Sequence, residues 1–229
     1  EKPTSSKDPF ALRRTAIGLL RIIIEKKFTI QLKDLINYSI SIYKEKNKKF
    51  TNDATAKEIL IFLRERFKYI LKDKKIRNDI IEAVNASHND NDFLELYKKC
   101  SIFNKNISKD TCKNIIGTYK RVSNIIEGED KNEKILGQPE SFLFKKDEEK
   151  DLYNKINDVI QYFLSTKKNE NYEETLKVLA DTKPCADSFF ENVIVNDENL
   201  DIKKNRLKLL RMFCKTYNNF IDFSKLEGA

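Results

Sequence analysis

Lys113, Gly117, Lys120 and Asn124 recur at intervals of four, three and four, which places them along one face of a helix with Arg121 beside them. Lys204, Lys208, Arg211 and Lys215 repeat the same intervals further along the chain, inside a stretch, residues 203–215, that holds six basic side chains and no acid. Lysine and arginine at this pitch suit an anionic partner. Their charges neutralise phosphates, while Arg and Asn also offer directional hydrogen bonds to exposed base edges. Arg206 is placed differently. At 3.6 residues per turn it points to the apolar side, between Leu209, Leu210 and Phe213. A charge there needs a carboxylate, several carbonyls, or a reach past the edge of the core. Two readings stand side by side: a buried ion pair with Asp187 or Glu191, and a guanidinium presented to a phosphate or a base edge.

Each basic stripe backs onto an apolar one. Ile115, Tyr119, Val122 and Ile126 line the far side of the first helix, and Leu207, Leu210, Cys214, Tyr217 and Ile221 that of the last. An ordinary surface helix has this pattern too, so the stripes point to an anionic partner without identifying it. Phe189-Phe190 invites comparison with aromatic platforms on which single-stranded bases stack. Cys185, Phe189 and Val193 share one face, however, with Phe190 and Ile194 adjacent, and both rings are expected in the core.

Much enzymology is excluded. His88, the one histidine, lies in the polar run Ala86-Ser87-His88-Asn89-Asp90-Asn91, which reads as a solvated loop. Multi-histidine zinc sites are therefore impossible within this chain, and a Ser-His-Asp arrangement would rest on that residue alone. Cys100, Cys112, Cys185 and Cys214 form no CxxC and read as reduced thiols of a cytoplasmic protein. No glycine-rich phosphate loop occurs. The sequence is expected to bind, with no catalytic residue and no metal.

With 5 glycines and 4 prolines in 229 residues, hairpin-rich folds are disfavoured and an all-α protein is expected. Mean hydropathy is −0.61, and no apolar run approaches the ~20 residues of a membrane span. The chain opens Glu1-Lys2-Pro3 without an initiator Met or a signal peptide, and reads as a cut fragment. Asp8 is a good N-cap and Pro9 a good first residue for a helix over 10–26, whose apolar residues nearly encircle the axis and should place it centrally. Further helices are expected over 31–46, 54–72 (with Ile59, Phe62, Leu63, Phe67, Ile70 and Leu71 inward), 77–86, 93–104, 111–127, 146–166, 172–181, 184–194 and 199–220. Residues 128–145 form the main loop. The two Asn-Asp pairs of 87–92 mark a boundary, giving parts 1–90 and 91–229. Charge supports the division: residues 1–90 hold 20 basic and 12 acidic side chains, and residues 91–229 hold 24 of each. Within the second part, residues 127–151 carry nine acids against five bases.

Four segments in order resemble one family. Asp8-Pro9-Phe10-Ala11-Leu12-Arg13-Arg14, Lys120-Arg121-Val122-Ser123-Asn124-Ile125, Ala186-Asp187-Ser188-Phe189-Phe190-Glu191-Asn192-Val193 and Asn205-Arg206-Leu207 are similar to segments of the β subunit of bacterial glycyl-tRNA synthetase. The resemblance implies that residues 1–90 are the tail of the subunit's central region, truncated at its front. It implies that residues 91–229 are a helical-bundle anticodon-binding domain like that of arginyl-tRNA synthetases. It further implies glycine tRNA as partner, within an α2β2 ATP-dependent ligase of the cytoplasm. There the α subunit carries the ATP, magnesium and glycine chemistry, and this piece carries no cofactor. Lys120, Arg121 and Asn124 become tRNA contacts by that match; Lys113, Lys204, Arg206, Lys208, Arg211 and Lys215 join them as the basic stripes. The competing reading is a helical protein-interaction module that binds no RNA.

Overall fold

A computed structural model describes residues 8, 10–46, 55–87, 92–130, 136–166 and 171–227. Among these there are ten α-helices and no strand: α1 (Leu12–Glu25), α2 (Leu32–Lys46), α3 (Thr55–Asp73), α4 (Asn78–Ser87), α5 (Phe93–Asn106), α6 (Asp110–Asp130), α7 (Asp147–Ser165), α8 (Tyr172–Ala180), α9 (Lys183–Asn192) and α10 (Leu200–Asn218). His88 and Pro9 lie outside the described residues. The chain divides into two compact units, Glu1–Asn104 and Lys105–Ala229.

The first unit is built on α3, whose Phe67, Ile70 and Leu71 are fully buried with Leu20 of α1 and Ile80 and Ile81 of α4. Its limit falls beyond the 90/91 position that composition suggests, because the start of α5 belongs to this core. Phe93 sets its ring edge-on to Phe67, 5.1 Å between centroids, and the Arg77 backbone N–H donates to Asn104 Oδ1 at 3.1 Å. An apolar anchor outweighs the polar run before it.

Two expectations for α1 change. The helix starts at Leu12, and the N-cap position expected for Asp8 is taken by Ala11 in a left-handed conformation (φ 54°); Asp8, three residues earlier, accepts the Arg13 N–H at 3.0 Å. Nor is α1 central within its unit. Ala16, Leu20, Ile23 and Ile24 are buried, whereas Leu19 and Ile22 are 39% and 53% exposed. The N-terminal half of α3 is likewise open at Ile59, and α1, α2 and α3 together line an apolar groove of about 540 Å3. The apolar surface exceeds what three helices can cover among themselves.

In the second unit α10 packs against both α6 and α7. Its Tyr217 ring stacks on Phe213, 4.2 Å between centroids, and meets Tyr119 of α6 at 6.1 Å. The buried Tyr217 hydroxyl donates to the Leu179 carbonyl at 2.9 Å, which satisfies a polar group that burial would otherwise penalise. Helix starts are capped where the sequence offers the right side chain: Asn171 accepts the Glu174 N–H, and Asn199 accepts those of Asp201 and Ile202. The segment read as the main loop is shorter than expected, since α6 runs on to Asp130 and a 3-10 turn forms at Ser141–Leu143. Asn205 holds its centre. Its Oδ1 accepts the Glu140 N–H at 2.7 Å and its Nδ2 donates to the Glu140 carbonyl at 3.0 Å.

Candidate nucleic-acid interface

The apolar stripe of α6 faces the bundle: Ile115, Tyr119, Val122 and Ile126 are all buried. The opposite stripe therefore faces out. Lys113, Gly117, Arg121 and Asn124 are exposed and Lys120 is half-buried. Among the described residues, neither Lys113 nor Lys120 is ion-paired within the fold. With no ion pair among the described residues, these ammonium groups are available to an external anion.

Arg121 is held where it stands. Its guanidinium carbon lies 4.2 Å from the centroid of the Phe190 ring, and Nη1 is 3.8 Å from Asp187 Oδ1. Asp187 also bonds Lys183 on its own helix. Phe190 in turn meets Phe189 edge-on, 5.4 Å between centroids, and Phe189 is fully buried. The sequence reading that put both rings in the core is thus corrected for Phe190, which sits half-buried beneath Arg121. Phe190 lies about 100° round α9 from Phe189, enough to bring it to the edge of the core. That Arg121 and Phe190 meet depends on how α6 packs against α9, which no local pattern encodes.

On α10 the basic stripe is largely answered from within. Arg206 is 3% exposed: Nε donates to Glu149 Oε1 at 3.0 Å, and Nη1 to Asp197 Oδ2 at 2.7 Å and to the Ile194 carbonyl at 2.8 Å. It is an internal cross-link whose head is paired within the fold, and its partners are neither Asp187 nor Glu191. Asp197 is held below the usual carboxylate range by the Asn199 backbone N–H first and by Arg206 second. Lys208 pairs with Glu140 at 3.1 Å and Lys203 with Glu129 at 2.7 Å. Lys204 and Arg211 are half-buried and each makes an interaction within the fold. The physical reason is that the acidic stretch 127–151 folds back on α10 and supplies Glu129, Glu140 and Glu149 to it. Lys215 alone of the predicted α10 contacts is exposed and, among the described residues, has no ion pair.

A groove of about 720 Å3 lies between the second half of α6 and α10, lined by Ser123, Gln138, Arg211, Lys215, Asn218 and Asn219 among others. That volume falls within the range of small-ligand sites, and its lining mixes amide and basic groups with apolar ones. Sequence reasoning missed Gln138, Asn218 and Asn219, which carry no periodic signal.

Burial pushes the Cys112 thiol up to about 11 and those of Cys100 and Cys214 up to about 12, so none is a thiolate nucleophile near neutral pH. Among the described residues, no group of three His, Cys, Asp or Glu is placed to hold a metal ion. No described helix is long and apolar enough to cross a membrane.

Comparison with known proteins adds to this geometry. Residues 1–86 match the family model described as glycyl-tRNA synthetase beta subunit, and residues 115–224 match the DALR anticodon binding domain. Along 228 residues, 99% of its length, the chain is 35% identical to the glycine–tRNA ligase beta subunit of Rickettsia canadensis. It is 33% identical over 226 residues to that of Rickettsia africae, and 34% identical over 226 to that of Rickettsia typhi. In each case it spans 32% of the relative's length.

Proposed function

We propose that the chain is a piece of a glycyl-tRNA synthetase beta subunit, whose family model matches residues 1–86, and that its second unit, where residues 115–224 match the DALR anticodon binding domain, grips the anticodon region of glycine tRNA. The observation that carries the reading is the outward face of α6, where Lys113, Lys120, Arg121 and Asn124 stand opposite a buried apolar stripe. Lys113, Lys120 and Lys215 hold backbone phosphates, which supplies affinity and makes it salt-dependent. Arg121 and Asn124 contribute hydrogen bonds to base edges, which supply choice among sequences.

In this account the chain is a part of an ATP-dependent glycine–tRNA ligase and makes no bonds itself. Its contribution to catalysis is indirect: binding energy gathered far from the acceptor end holds that end in place for the reaction elsewhere. The chemistry with ATP, magnesium and glycine belongs to an α subunit, the assembly is α2β2, and the setting is the cytoplasm. A mobility-shift titration tests the reading, using glycine tRNA and the same tRNA with a changed anticodon. Tighter binding to the unchanged tRNA is expected. Equal, feeble binding to both would favour a protein-interaction module.

A further inference from the structure

We propose that Gly117, Arg121 and Asn124 form a seat for one unstacked nucleobase, which lies flat on the guanidinium of Arg121 with its edge toward Asn124. The proposal rests on the RNA-binding reading above and specifies how that site holds a base rather than a phosphate.

Two independent observations carry it. The first is the fixing of Arg121. Its guanidinium carbon stands 4.2 Å from the centroid of the Phe190 ring, and Asp187 stands 3.8 Å from Nη1, while half of the side chain (51%) remains open to solvent. An arginine that only neutralised phosphate would have no need of a plane fixed from below. A fixed plane, backed by an aromatic ring that is itself wedged against buried Phe189, is a stacking surface whose ordering cost is met before the ligand arrives.

The second observation is Gly117. It lies mid-helix, one turn before Arg121 on the same exposed face, with an ordinary helical backbone. A Cβ built on it would meet nothing within 4 Å. Neither conformation nor packing in this fold asks for glycine there, and glycine in a helix interior is disfavoured against alanine. What the missing side chain provides is close approach to the helix from outside. Asn124 follows at the next turn and is exposed, with a paired donor and acceptor that match a base edge. The three positions, at intervals of four and three, form one continuous strip.

The test compares the 229-residue chain with its Gly117→Ala and Arg121→Lys variants. Binding is measured to glycine tRNA and to versions of it made abasic at one anticodon-loop position at a time, over a series of salt concentrations. Arg121→Lys keeps the charge and removes the plane, so affinity should fall roughly five- to hundred-fold with the salt dependence unchanged. Gly117→Ala should weaken binding while raising the thermal midpoint by roughly 2–5 °C, a pairing that a structural role for this glycine would not produce. One abasic position should weaken the wild-type chain and have little further effect on Arg121→Lys. Wild-type affinity in both variants, or equal losses at every abasic position in wild type and Arg121→Lys, would overturn the seat and leave RNA binding standing. Failure of the wild-type chain to bind the intact tRNA would overturn the RNA-binding reading and the seat with it.

Discussion

Arg206 and Glu149, 57 positions apart in sequence, form a buried pair in which Nε donates to Oε1 at 3.0 Å and both side chains are nearly or wholly excluded from solvent. The other carboxylate oxygen of Glu149 accepts the backbone N–H groups of Lys145 and Lys146, at 2.8 and 2.9 Å, where α7 begins. One side chain thereby satisfies two helix-start donors and one buried cation, and Arg206 extends the link to Asp197 and Ile194.

Arg206→Ala should therefore act on stability. Removing one partner leaves Glu149 buried and uncompensated, a loss of about 3–5 kcal/mol by urea denaturation. Replacing both, as Arg206→Met with Glu149→Leu, should recover only part, because the Lys145 and Lys146 N–H groups then lose their acceptor. A variant Arg206→Ala as stable as the parent would remove Arg206 from the core of the account.

Asn205→Ala should loosen the segment around Glu140 while α10 stays helical. Two hydrogen bonds are lost, about 1–3 kcal/mol together. Amide exchange at Glu140 should quicken more than at the core residues of α10, and uniform exchange would show that the clamp holds nothing.

Alkaline pH should destabilise the second unit. Burial raises Cys214 from 9.0 to about 12 and Cys112 from 9.0 to about 11, and burial, chiefly, raises Tyr119 from 10.0 to about 12. For acids whose folded value is raised, the unfolded chain sheds protons first, so the stabilisation is complete below about pH 9 and declines from there toward about pH 12. Under reducing conditions the urea midpoint should fall across that window and recover on return to neutral pH; a flat profile would contradict the burial of these groups.

Lys120→Ala with Arg121→Ala should weaken tRNA binding and lower the thermal midpoint by no more than about 4 °C, since both side chains stand outside the apolar stripe of α6 and only the half-exposed Arg121–Phe190 contact is lost with them. Each lysine lost from the phosphate grip should also reduce the slope of log affinity against log salt by about 0.7–0.9. Unfolding of the double variant would contradict the assignment of faces.

The helices were legible in the sequence because their signals are local. The apolar intervals of α6 and α10 announce their faces without reference to anything distant. What escaped was which segment meets which. The acidic stretch 127–151 and the basic stretch 203–215 read as two separate fields, yet in the fold Glu140 and Glu149 answer Lys208 and Arg206. Likewise Phe190 and Arg121 gave no sign of each other, since their contact follows from the packing of α9 on α6. Encirclement of α1 by apolar residues predicted burial, but Leu19 and Ile22 are left exposed.

The most direct measurement compares two double variants for affinity to glycine tRNA: Lys113→Ala with Lys120→Ala on α6, and Lys203→Ala with Lys208→Ala on α10. Among the described residues the first pair takes part in no ion pair of the fold, and its loss should cost about tenfold or more. The second pair is already neutralised by Glu129 and Glu140, and its loss should change affinity by no more than about threefold. The reverse order, with α10 dominant and α6 indifferent, would contradict the claim that the outward face of α6 is where this protein holds RNA.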